Sequence, residues 1–279
     1  MKNPLVSCLM VSKPTTERFR LFERSLRGYL AQTYKNRELI IVTSHLSSEE
    51  WQAVGEHIRC LTRRDIRIRF VPGNPSLGRL RNISFDLAAG SLCCQWDDDD
   101  IYHPRRIELQ VKAMLGARKG EVFLQTLMHF FERERALFVE DWGRLTPPYN
   151  CHPGTGLVLK DPEVRYPTRG QHARKGEDTV FFERHQERHG RILVRDYPYL
   201  YVYVYHSLNT WSFQHHRGLA VQNAWPRKAL LRMRKEIESR LQELDLPPGP
   251  INVLAKDGPA FIWRKSKKRR ACRPRATGA

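Results

Sequence analysis

Asp97, Asp98, Asp99 and Asp100 stand in a row directly after the apolar residues 92–96. Four adjacent carboxylates repel one another. A hard divalent cation shared with a phosphorylated ligand would relieve that repulsion, since Mg2+ and Mn2+ take oxygen ligands and often share them with substrate phosphates. The bland reading is a solvated acidic turn. Position argues against it, because residues 92–96 read as a buried strand and ligands of open α/β sheets collect at the carboxyl ends of strands. A second acidic pair, Glu177-Asp178, follows Gly176 at the start of a helical stretch. Acids there complement the helix dipole, and a carboxylate held near an attacking hydroxyl can also take its proton. His206 closes the tyrosine-rich residues 200–205, and a neutral imidazole suits a Mn2+-like ion or serves as an ordinary hydrogen-bonding group. His215 and His216 follow it and are either substitutes or a surface pair. Arg79, Arg81 and Asn82 precede the aspartates on one helical segment; guanidinium groups match phosphates, or simply charge a helix surface. In His152-Pro-Gly154-Thr155-Gly156 the glycines allow close backbone approach to a ligand, or make a turn.

The elements that must hold these residues alternate through the first hundred positions. Strands are expected over 5–11, 38–42, 66–71 and 92–96, with helices over 18–32, 48–58 and 77–89 between them. Such alternation argues for parallel strands joined by right-handed crossovers. After the aspartates come a helix over 103–117, strands over 122–128 and 137–142, a Pro/Gly-rich loop over 147–156 and a strand over 157–160. A helix opening near Glu177 and strands over 192–194 and 200–205 follow. No internal repeat is visible.

With 279 residues, 41% of them hydrophobic, the chain can bury a sizeable core. No segment approaches the roughly 18 consecutive apolar residues of a membrane span. The six cysteines lack metal-ligand spacing and are expected to be reduced thiols of a cytoplasmic protein, with Cys93 and Cys94 on opposite strand faces. The net charge of +18 favours anionic partners. Leu230, Met233, Ile237, Leu241 and Leu244 recur at helical spacing, so an amphipathic helix is expected over 226–246, docked on the domain or on a twin subunit, or seated on an anionic membrane leaflet. Residues 247–279, rich in Lys and Arg from Arg264 onward, read as a flexible basic tail.

Pro4-Leu-Val-Ser-Cys, Leu30-Ala-Gln-Thr-Tyr34 followed by Arg37-Glu-Leu-Ile-Ile-Val42, Arg81-Asn82 before Ala89-Gly90, the aspartate run and Gly176-Glu-Asp178 resemble, in order, the landmarks of glycosyltransferase family 2 over roughly residues 4–211. The resemblance implies an α/β fold of GT-A type, with a mostly parallel central sheet flanked by helices, over residues 1–225. A nucleotide-binding half (about 1–100) and an acceptor half (about 101–225) would lie within it. It further implies an inverting transfer from a nucleotide-diphosphate sugar to a saccharide or lipid-linked acceptor, with Mn2+ or Mg2+. By that likeness Asp97 and Asp98 lie on the donor and Asp99 binds the metal, joined by Asp97 and His206. The register is open by one residue, because four identical side chains offer two overlapping pairs. Asp178 is then the base with Glu177 beside it, Arg81, Asn82 and Arg79 reach the donor, and Gly154, Thr155 and Gly156 shape the acceptor pocket. The chain departs from the family where Val-Asp-Asp becomes Val42-Thr43-Ser44 and where Ser12 follows the first strand, leaving hydroxyls on the donor side in place of a carboxylate. Two other classes compete. A metal-dependent nucleotidyl or phosphoryl transferase would use the same carboxylates, although no P-loop pattern is present; a nucleic-acid-binding protein would use the tail, and is the less favoured. The basic tail could also bring the protein to the inner membrane face. Oligomeric state is not legible in these features.

Overall fold

The computed structural model describes residues 3–44, 47–61, 63–147 and 149–266. In chain order the first elements are β1 (Val6–Ser12), α1 (Phe19–Leu30), β2 (Arg37–Thr43), α2 (Ser48–Cys60), β3 (Ile66–Phe70), α3 (Leu77–Leu87), β4 (Leu92–Gln95), β5 (Ile101–Tyr102) and α4 (Arg106–Ala117). Then come β6 (Glu121–Leu124), β7 (Thr126–Phe131), β8 (Ala136–Asp141), β9 (Leu157–Leu159), α5 (Glu177–His189), β10 (Arg191–Val194) and β11 (Tyr201–Tyr205). The chain closes with α6 (Phe213–Asn223), α7 (Arg227–Arg232), α8 (Arg234–Leu241), β12 (Pro250–Ala255) and β13 (Gly258–Arg264).

A seven-stranded sheet runs in the order β10-β6-β9-β4-β1-β2-β3. Only β9 is antiparallel to its neighbours, so the sheet is mostly parallel, as the alternation of elements requires. Every residue of β2 is buried, which is the mark of a strand covered on both faces. Cys94 packs into the core cluster on one face, with α1, and Cys93 into the cluster on the other, with α3 and α5. α2 begins with a capping box between Ser47 and Glu50, in which each side chain accepts from the other's backbone N–H.

A second sheet, β13-β12-β8-β7-β11-β5, stands beside the first. The chain passes between the sheets five times, among them through the aspartates from β4 to β5 and through Gln125 from β6 to β7. The strand expected over 122–128 is therefore two strands. Gln125 breaks it, its backbone N–H going to Val194 O and its carbonyl accepting from Trp142 N.

The C-terminal expectations change most. In place of one helix over 226–246 there are two short ones that meet at Met233. Leu230, Ile237, Leu241 and Leu244 are buried in the main core, so that stripe faces the domain and offers no apolar face to a membrane. Residues 250–264, expected within a tail, form an antiparallel hairpin that extends the second sheet from β8. Ile251, Val253 and Ala255 point inward on β12 and Phe261 and Trp263 on β13, an alternation of period two. Asp257-Gly258 closes the turn, with Gly258 at φ 117°. The tail itself, 267–279, lies outside the described residues. Among the described residues no helix is long and apolar enough to cross a membrane.

Candidate active site

The end of β4 delivers the aspartates, and their backbone is pinned from three sides. Ser25 Oγ and Tyr102 Oη donate to Asp97 O at 2.8 and 2.9 Å, and Arg24 donates to Asp99 O at 2.7 Å. The four carboxylates then take different surroundings. Asp97 faces Gln95 Nε2 at 3.2 Å and Arg81 at 3.5 Å. Asp98 accepts from Ser12 Oγ at 2.6 Å and from Arg18 at 2.9 Å. Asp99 accepts from the same Arg18 nitrogen at 3.0 Å and lies 3.0 Å from His206 Nε2. Asp100 is 1% exposed; it accepts from Val204 N at 2.8 Å and from the Tyr201 hydroxyl, an anchor between β4 and β11.

Burial pushes the carboxyls of Asp97, Asp98 and Asp100 above their ordinary value, with Asp99 adding to the rise. Asp99 behaves oppositely: burial raises it, but the hydrogen bond and charge of His206, then those of Arg18, hold it at about 2. It is the carboxylate of the run that is held below its ordinary value.

Glu177 and Asp178 reach this cluster through Arg81. The guanidinium pairs with Glu177 Oε1 at 2.8 Å on one side and faces Asp97 on the other, so residues of β4 and the start of α5 share one cation. Glu177 is 2% exposed and positions Arg81. Asp178 is the more open of the pair; its Oδ1 accepts from Thr179 N at 2.8 Å. Burial, then the charge of Glu177, raise its carboxyl from 3.8 to about 6, against the opposing pull of Arg81.

Several residues singled out from the sequence have other work. Both ends of the Asn82 amide bond the Tyr166 backbone, each at 2.9 Å, so Asn82 fastens α3 to residue 166. Arg79 lies two residues from Arg81, hence on another helix face, and lines a separate groove with Ser76 and Arg169. Ser12 reaches a donor only through Asp98. Thr155 is fully buried and bonds His152 O and Leu124 N; a Cβ on Gly156 would strike Phe182 and Phe123. Gly156 borders a small cavity together with Arg81, Gln95 and Tyr166. Gly154 does border the carboxylates: a Cβ there would fall on the Tyr201 hydroxyl and 3.0 Å from Asp97 Oδ2. The Thr43 hydroxyl at the end of β2 is buried without a partner, a state that a bound ligand would correct. His216 is buried against His129, and His215 stacks on Trp211, so His206 is the histidine that meets Asp99.

Sequence reasoning missed Arg18 and Arg106. Arg18 is the N-cap of α1 and has no capping bond; the first turn holds Arg20 and no acid. Cations at a helix N-terminus oppose the dipole, and that misfit is the signal that Asp98 and Asp99 need them nearby. Arg106, fully buried, donates to Gln95 O and Gly154 O and so holds the Gly154 loop under Asp97.

Among the described residues no three His, Cys, Asp or Glu side chains cluster closely enough to hold a metal unaided. A pair is present. Neighbouring ligands of an octahedral ion, each about 2.1 Å from it, lie about 3 Å apart, and Asp99 Oδ2 and His206 Nε2 are 3.0 Å apart. The pair could hold two positions of a Mn2+ or Mg2+ ion, the remainder being left to a bound phosphate and water.

Comparison with known proteins agrees with this architecture. The Glycosyl transferase family 2 sequence model matches residues 14–156. The putative colanic acid biosynthesis glycosyl transferase WcaA of Escherichia coli is 33% identical over 137 residues, 44% of this chain and 47% of that protein. The match thus spans about half of that relative's length. Among solved structures, the mannosyltransferase PcManGT from Pyrobaculum calidifontis, in complex with GDP-Man and Mn2+, is similar with a TM-score of 0.54 and 17% identity over 84% of this chain and 64% of that one. TarS of S. aureus, residues 1–349, gives 0.53 and 12% over 87% and 66%. These likenesses give the fold as GT-A.

Proposed function

From the premise that the chain belongs to glycosyltransferase family 2, we propose that it transfers a sugar from a nucleotide-diphosphate donor to a saccharide or lipid-linked hydroxyl with inversion. The observation that carries the reading is the meeting, around Arg81, of Asp97 with Glu177, the neighbour of Asp178, while Asp99, two residues from Asp97, meets His206 at 3.0 Å. One half of this site suits a diphosphate and the other a hydroxyl.

In the proposed reaction the acceptor hydroxyl donates its proton to Asp178 as it attacks the anomeric carbon from the face opposite the diphosphate, whose bond to that carbon breaks. Burial and Glu177 raise Asp178 to about 6, so it is ionised yet basic near neutral pH. Arg81, fixed by Glu177, lies where charge develops on the departing diphosphate. A Mn2+ or Mg2+ ion held by Asp99 and His206 would neutralise that charge further. Asp97 holds the donor ribose, and the orphan hydroxyl of Thr43 takes a place near the base. Solved relatives in complex with UDP-GlcNAc and with GDP-Man and Mn2+ support a sugar nucleotide as donor. The colanic acid relative supports a polysaccharide product.

A thermal-shift series of UDP- and GDP-sugars with and without Mn2+ tests the proposal. Binding at a hundredfold excess over Kd stabilises the native state by about 2.7 kcal/mol, so the true donor should raise Tm clearly and more so with the metal. If no sugar nucleotide shifts Tm under either condition, the reading fails.

A further inference from the structure

A cavity of about 430 Å3 opens on the far side of the second sheet, bounded by β7, the residues before β11, and the broken helix pair α7 and α8. Side chains alternate along β7. Met128 faces this cavity, whereas His129 faces the opposite way, onto Tyr203 and His216. The cavity is therefore separated by the sheet from the side of the molecule that carries His129 and His216. Its size is that of a small-molecule site.

Its lining is apolar with acids at the rim. Met128, Pro198, Tyr199 and Trp225 form walls. Arg240 and His103 already pack on Tyr199; Trp225 is half-buried, packed against the core on one part and lining the cavity with another, and among the described residues no ring or cation is stacked on it. Of the ionisable groups, Arg195 is paired with Asp141 at 2.8 Å. Asp196 and Glu236 have no ion-pair or hydrogen-bond partner among the described residues. In a chain of net charge +18, this is a pocket with two surplus carboxylates. It repels phosphates, nucleotides and other anions that the rest of the surface attracts.

We propose that this cavity is a saccharide-binding subsite, apart from the transfer site, for a neutral sugar ring. The carbon–hydrogen face of such a ring packs on Trp225, and its hydroxyls donate to Asp196 and Glu236. Charge disfavours an anionic occupant, and the rim carboxylates are acceptors for hydroxyl donors. Among ligands with an apolar face and several hydrogen-bond donors, neutral sugars carry no charge that the carboxylates would repel. A growing saccharide could be held here while its end lies elsewhere; the subsite itself rests on the cavity and not on the assignment of Asp178.

Saturation-transfer difference NMR on the full chain tests it, using glucose, galactose, mannose and N-acetylglucosamine at millimolar concentration, with glucuronate as the anionic control. At least one neutral sugar should receive saturation. Its affinity should fall about tenfold in Trp225→Ala, the loss expected from one aromatic contact with its buried area. It should fall similarly in Asp196→Asn/Glu236→Gln and stay unchanged in Asp178→Asn. Both rim residues are exposed, so the double variant decides the matter if Trp225→Ala does not fold. The proposal is overturned if no neutral sugar binds, if binding survives the double variant, or if glucuronate binds better than the neutral sugars. Loss of binding in Asp178→Asn alone would place the sugar in the transfer site and overturn the subsite as well. A failed donor screen with sugar binding intact would instead count against the transfer assignment alone.

Discussion

Replacing Asp178 by Asn should remove activity and strengthen the fold in the same protein. The carboxyl is raised from 3.8 to about 6 in the native state by burial and by Glu177. Below the unfolded value both states carry the proton, and Asp and Asn are then near equivalents. As pH rises from about 4 to about 6, the unfolded chain loses its proton first, and the native state is progressively disfavoured. Above about 6 the full difference is present. At 1.36 kcal/mol per pH unit, moving from 3.8 to about 6 corresponds to roughly 3 kcal/mol, which is an upper figure, since Asp178 is partly open to solvent. Asn keeps an oxygen that can accept from Thr179 N, so the helix start is retained. Urea unfolding of the two proteins should therefore differ by about 2 kcal/mol in favour of Asn at pH 8 and by about a third of that at pH 4.5. In the same variant, transfer should fall by about 10²–10⁴, the range for a lost general base, with donor affinity kept. Wild-type kcat/KM should decline about tenfold per pH unit below about 6. A stability difference that does not change with pH would refute the buried-carboxyl reasoning, and normal turnover would refute the base.

Arg18→Gln leaves Asp98 and Asp99 side by side without their shared cation; a loss of about 3 kcal/mol is expected, partly restored by Mn2+ in a thermal melt, and an unchanged Tm would show that Arg18 does not hold them. Asn82→Ala should cost about 1–3 kcal/mol by stranding two Tyr166 backbone groups, while KM for the donor stays put; a selective rise in KM would return Asn82 to the donor site. Gly154→Ala forces a methyl against the Tyr201 hydroxyl and Asp97, and should lower transfer by about tenfold or more, measured as nucleoside diphosphate release. Trp263→Ala should cost about 3–5 kcal/mol in urea unfolding; a negligible effect would mean that the hairpin over 250–264 adds nothing to the core.

Most of the first sheet was legible because its central strands β1, β2 and β4 are buried on both faces and two of its helices carry clear caps, Ser47 and Ser76. The aspartates could be placed at a strand end for the same reason. What could not be read was pairing across distance: Asp99 and His206 are 107 residues apart, and Arg81 and Glu177 are 96 apart. Family likeness placed these residues in one site, but it named no contact between them. The break at Gln125 was hidden because apolar residues run on through it, and only tertiary hydrogen bonds divide β6 from β7. In the hairpin over 250–264, nearby Pro, Gly and Lys outweighed a plain alternation of Ile251, Val253, Phe261 and Trp263. The two helices of 227–241 follow the expected apolar stripe, yet composition alone could not say whether core or membrane would cover it. Arg18 and Arg20 at the acid-free start of α1 are a signal in the sequence, but one that names no partner until the fold brings Asp98 and Asp99 to Arg18.

The charges around the site explain how adjacent carboxylates can serve different ends. Asp99 and Asp178 are both buried acids, and burial alone would raise each of them. Asp99 has His206 and Arg18 within hydrogen-bond reach and is held at about 2. Asp178 has Glu177 beside it, while that neighbour takes the nearest guanidinium nitrogen of Arg81. Glu177 thus acts on Asp178 twice: its own charge raises the carboxyl, and its claim on Arg81 lessens the pull that would lower it. The separation of about four pH units between the two acids follows from these partners. A group ionised at every working pH is suited to a cation, and one that titrates near 6 is suited to a proton. Glu177→Gln should then draw the two together from one side only, lowering Asp178 and moving the acidic limb of the pH–rate profile downward, while Asp99 stays where it is.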